Sequence, residues 1–144
     1  MISYILVYRF NSGHHLFSVK GDKKIDGLIS GLISALNSFA NKIFNLFKKR
    51  IDLIAIGDHF IQEFILIEDL DIDIIFIYDK DDHPFITELY EIIKNIVSQK
   101  SLRYLFIEDN GSRKEFKNIS NMIKSYIDYW KHEKTFKGIP IKNL

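Results

Sequence analysis

His14 and His15, Asp71 and Asp73, and the acidic run DKDDHPFITELY from Asp79 to Tyr90 are the residues whose types and spacing raise chemistry in this chain. Two adjacent histidines bring a metal pair to mind. Neighbours on a strand point to opposite faces, however, and one ion needs converging imidazoles with further ligands, so the pair reads as part of a solvated turn. His59, His83 and His132 are scattered, with no HExxH spacing. The acidic run has the outline of a calcium loop and fails at two decisive places. Pro84 stands where the loop needs glycine, and Tyr90 where it needs glutamate. Asp81 and Asp82 instead favour the positive end of a following helix. Asp71 and Asp73 alternate with isoleucine and share one face at the start of a strand. A carboxylate pair there would serve acid–base work, but a solvated strand end fits the pattern better. There is no GxxxxGK[ST], GxGxxG or GxSxG motif. With no cysteine there is no thiol nucleophile, thiolate metal site or disulfide. The expectation is a protein that is not an enzyme and takes no cofactor or metal.

The rest of the chain says what would position such residues. Its 144 residues fit one domain, and 47% hydrophobic with 27% charged residues is an ordinary globular balance. The net charge of +1 gives no electrostatic reason to expect nucleic acid. From Asp52 to Asp82 the chain is acidic, with Lys80 the only base; beyond Lys100 it is moderately basic. Lys131, Lys134, Lys137 and Lys142 offer a peripheral contact to acidic lipid or protein. Spread among Glu133, Phe136 and Pro140, they read better as a soluble tail. The opening MISYILVYRFNSG has no small-residue cleavage site, and no stretch reaches the ~18 apolar residues of a bilayer span. A cytoplasmic protein is expected.

Ile2 to Tyr8 reads as a strand, Asn11-Ser12-Gly13 as a turn, and His14 to Lys20 as the returning strand of a hairpin. A first helix follows over roughly Ile25 to Phe47, with Lys48, Lys49 and Arg50 at its negative end. IDLIAIG (51–57), HFIQEFILI (59–67) and IDIIFIY (72–78) then form an antiparallel meander, turning at Gly57-Asp58 and Glu68-Asp69. The unbroken apolar run Ile74 to Tyr78 belongs in the middle of a sheet, and the first strand reads the same way. Pro84 opens a second helix, capped by Asp82 or His83, with Phe85, Leu89, Ile92, Ile93 and Ile96 as its stripe. Residues 101–108 stay open between a short strand and a helical packing segment. Ser112-Arg113-Lys114-Glu115 reads as a capping box. The third helix it opens carries Phe116, Ile119, Ile123, Ile127 and Trp130 on one face. The expected layout is one domain over 1–133 and a tail over 134–144.

The resulting α+β order, β-β-α-β-β-β-α-α, is similar to the longin domain. NSGHHLFS resembles the longin pattern of a Gly-containing turn followed by a short apolar-Phe-Ser strand. LISGLISALNSFANKI resembles the first helix of stand-alone prokaryotic and archaeal longin-like and roadblock-like proteins, and the acidic turn Asp79 to Asp82 has counterparts among them. The resemblance covers roughly residues 1–100, and the chain lacks the extra first helix of roadblock domains. It implies a longin-like, profilin-like five-stranded antiparallel sheet with one helix on one face and two on the other. It also implies a platform for dimerisation with itself or another longin or roadblock subunit, or for a small GTPase or vesicle-trafficking partner.

Within the first helix, ~100° per residue gathers Ile25, Ile29, Leu32, Leu36, Phe39 and Ile43 toward the sheet. Gly27, Gly31, Ser34 and Ser38 fall on nearly the opposite side. Gly31 inside a helix costs ~1 kcal/mol relative to Ala. Two readings of this small row stand: tolerated surface positions, or a docking face where a second helix comes close. In folds related to the longin domain this helix and the neighbouring edge strand form the usual dimer surface. Here that strand is Ile51 to Gly57, with Leu53 and Ala55 along it, and Ile33 and Phe44 would be partly exposed anchors. A competing function is a small-molecule sensor of PAS-like or GAF-like type, which needs a cavity of ~300 Å³ or more; the dense Ile and Phe content argues for a filled core.

Overall fold

The structure, a computed structural model, describes residues 2–19, 23–44, 52–99, 106–107 and 113–136. Strands β1 (Ile2–Arg9), β2 (His15–Val19), β3 (Leu53–Ile56), β4 (His59–Ile67) and β5 (Ile72–Asp79) join helices α1 (Lys23–Phe44), α2 (His83–Val97) and α3 (Arg113–Phe136). The strands form one antiparallel sheet in the order β2-β1-β5-β4-β3. The two strands with continuous apolar runs, β1 and β5, lie side by side inside it, where both faces are covered. Two of the three hairpins, β1–β2 and β3–β4, turn through glycine in the left-handed region, Gly13 (φ 72) and Gly57 (φ 56), where a Cβ would be strained.

Alternation along the strands sends side chains to two cores. On one face Ile5, Val7, Phe17, Ile74 and Phe76 meet Phe85, Leu89 and Ile93 of α2 and Phe116, Ile119, Ile123 and Ile127 of α3. Rings fill this layer: Phe85 stacks on Trp130 at 3.6 Å, and Phe17 on Phe116 at 5.6 Å. On the other face Tyr4, Leu6, Tyr8 and Ile75 pack against Ile33 of α1. The expected one-helix and two-helix layers are both present.

Several details differ from the sequence reading. Asp82 precedes α2, but neither it nor another side chain makes a capping hydrogen bond; Pro84 in the first turn shapes that start instead. α3 continues to Phe136, so residues 134–136 of the expected tail are helical, and the rest of that tail lies outside the described residues. Phe106 and Ile107 belong to a helical turn, with Phe106 fully buried and Ile107 exposed, while the rest of 101–108, Ser112 and Lys48 to Arg50 lie outside the described residues.

Candidate functional site

α1 is where structure and sequence part most. The side turned to the sheet carries Ile29, Ile33, Leu36, Asn37 and Ala40, with Ile33 only 2% exposed and Asn37 buried. Leu28 (66% exposed), Leu32 (48%), Phe39 (60%) and Ile43 (60%) face outward. This corrects two expectations: Ile33 is a core residue, not a surface anchor, and Leu32, Phe39 and Ile43 do not face the sheet. Ile33 packs with Tyr4, Leu6, Tyr8 and Ile75 of the sheet, and Ile29 packs against the same cluster.

The row of small residues does face away from the sheet. Gly31, Ser34 and Ser38 are exposed, and a Cβ built on Gly31 meets nothing within 4 Å. Gly27 and Phe44 lie within α1, their side chains outside the described set, and Ile51 falls outside the described residues. In β3, Leu53, Ala55 and Ile56 are exposed and Ile54 is half-buried. The register places Ile54 opposite Ile61 and Ile56 opposite His59, with Ile61 opposite Ile77, all on the α1 face. Ile65, cross-strand from Asp73 on that face, is exposed as well. The α1 side therefore presents the outer flank of one helix and a partly covered floor of isoleucines.

Polar groups lie beneath α1 that the sequence did not reveal. Tyr8 donates its hydroxyl to Glu63 Oε2, a contact across 55 residues of chain. Asp73 lies directly opposite Tyr8 on β5. Asp73 (0% exposed) and Glu63 (6%) are shut away from solvent, which corrects the solvated strand end expected for Asp71 and Asp73. Asp71 takes a separate role: in the left-handed conformation, its Oδ2 accepts from the Asn11 N–H at 2.7 Å. Two carboxyls beside a phenol have the makings of acid–base chemistry; here both carboxyl-bearing residues are buried in the sheet.

On the opposite face Tyr78 donates to Gln62 Oε1 at 2.5 Å and lies 2.8 Å from His83 Nδ1. A glutamine oxygen only accepts, so this arrangement puts the proton of the second contact on His83 Nδ1. Burial pushes the Tyr78 hydroxyl up to about 12. Phe60 meets both rings edge-on, and Lys80 already sits over Phe60 at 5.3 Å. That cluster is filled by its own side chains. The rings of His14 and His15 stack at 6.0 Å rather than pointing to opposite faces, because His14 stands just outside β2. Among the described residues no group of three or more His, Cys, Asp or Glu converges as metal ligands. No described helix is long and apolar enough to cross a membrane.

No family model matches this chain. No curated protein is similar to it in sequence.

Proposed function

We propose that this chain is a non-enzymatic protein-docking module of longin-like type. Its working face is the outer side of α1, used for dimerisation or for holding a small GTPase or trafficking partner. The observation that carries this reading is that six of the ten exposed large apolar residues among the described ones, Leu28, Leu32, Phe39, Ile43, Ile56 and Ile65, lie on the α1 side of the sheet. Fully burying one such side chain is worth about 1.5–3 kcal/mol, so a handful of them reward a partner. The bare row at Gly31, Ser34 and Ser38 adjoins this flank on the same helix and lets another backbone approach.

The test is light scattering coupled to size exclusion across a concentration series for wild type, Gly31→Arg and Leu32→Asp. The expected outcome is assembly of the wild type, folded monomers for both variants and unchanged thermal unfolding, since both positions are open. For a monomeric wild type, purified small GTPases in both nucleotide states are the second arm, with binding lost in Gly31→Arg. Variants that assemble or bind like wild type would remove the α1 face from this role.

A further inference from the structure

We propose that, whenever no protein covers it, the outer flank of α1 lies in the interface of a lipid bilayer, selecting strongly curved membranes that carry little charge. This rests on the reading of that flank as the working face of the chain and names a second occupant for it.

The flank is a ridge rather than a patch. At ~100° per residue Leu28, Leu32, Phe39 and Ile43 fall within an arc of about 60°. At ~1.5 Å per residue they run for about 22 Å along the helix. All four are exposed. Ile33, on another side of the helix, is held in the core with Tyr4, Leu6, Tyr8 and Ile75. α1 therefore offers lipid one side only and lies along a membrane rather than through it. On the same side of the sheet Ile56 and Ile65 add exposed apolar surface.

Charge decides what kind of surface this ridge fits. From Gly27 to Asn41 the sequence has no Asp, Glu, Lys, Arg or His, and its polar residues are serines and asparagines. Ionisable residues gather at the two ends instead. Lys23, Lys24 and Asp26 stand in the first turn, and Lys42 is exposed in the last. A helix drawn to anionic lipid by charge carries Lys and Arg along its polar face. Here that face is neutral, which leaves apolar area to drive the contact. Bulky side chains enter an interface most readily where curvature spreads the headgroups. Serine and asparagine stay hydrated among those headgroups, and the terminal lysines meet their phosphates. Ion pairs that would orient a protein partner are absent along the arc, and a lipid surface needs none.

Co-flotation of the full chain with phosphatidylcholine vesicles tests this. Small sonicated vesicles should capture the wild type more strongly than large extruded ones of the same composition, and added salt should change the capture by no more than about twofold. Phe39→Asp should lower capture by about tenfold or more, with thermal unfolding as in wild type because the ring is exposed. Tyr129→Asp, at an exposed position of α3 on the opposite face of the sheet, is the control and should float like wild type. Four results would each overturn the inference: no capture by either vesicle, capture indifferent to curvature, Phe39→Asp floating like wild type, or Tyr129→Asp losing as much. Capture that needs anionic lipid and vanishes with salt would overturn it too. Without capture, an assembly that Gly31→Arg dissolves leaves protein docking standing alone. Capture that Phe39→Asp abolishes, in a chain that stays monomeric and binds no GTPase, keeps the lipid contact and removes protein docking.

Discussion

At the scale of single residues, the polar side chains behave according to where the fold shuts them away. Tyr78 is the clearest case. Its hydroxyl ionises only around pH 12 in the folded chain because burial opposes the phenolate, whereas in the unfolded chain it titrates at its ordinary value of 10.0. A raised acid holds its stabilising contribution in full below the unfolded value and loses it as pH climbs through the folded one. Thermal stability of the wild type should therefore fall between about pH 10 and pH 12, and Tyr78→Phe should flatten that part of the profile. The same variant should cost about 1–2 kcal/mol at neutral pH through the lost hydrogen bonds to Gln62 and His83; urea unfolding at pH 7 checks it. None of this was legible in the sequence. The links Tyr8–Glu63 and Tyr78–Gln62 depend on strand register, and a chemical pattern along the chain does not reveal which residues a register brings together.

At the scale of elements, the sequence spoke well about strands and less well about how a helix is turned. β4 matched its expected bounds, and β5 and the stripe of α3 followed from runs and periods their neighbours could not disguise. α1 was ambiguous because its apolar residues cover more than one side. Ile29 and Leu36 belong to both candidate stripes, and it is Ile33 rather than Leu32 that joins Tyr4, Leu6 and Tyr8 in the core. That choice has a measurable sign. Ile33→Ala removes a side chain buried against Tyr4, Leu6 and Tyr8 and should cost about 2–5 kcal/mol. Leu32→Ala, one residue away and exposed, should stay within about 0.5 kcal/mol. Denaturant unfolding of the pair reads the orientation of α1 directly; equal losses would place the helix differently.

At the scale of the whole molecule, α2 and α3 are tied to each other as well as to the sheet. Trp130, the one tryptophan of the chain, stacks on Phe85 at 3.6 Å. Its fluorescence thus reports on the joint between two helices, while far-UV circular dichroism reports on all elements. For a single cooperative unit the two signals should coincide through urea unfolding. Phe85→Ala, truncating a buried ring, should lower stability by about 3–5 kcal/mol, a large share of the 5–15 kcal/mol typical of a domain. Separate transitions would mean that α3 leaves before the sheet does.

The helix seated on β2 has a consequence for what large numbers of copies do together. Growth of a fibre by strand addition needs two sticky ends on every subunit, one to receive and one to offer. Ser120 of α3 holds the Ser18 carbonyl at one of the two edges, so a strand adding there must first displace α3. α3 acts in this sense as a guard on that edge, and loosening it would open the edge to growth.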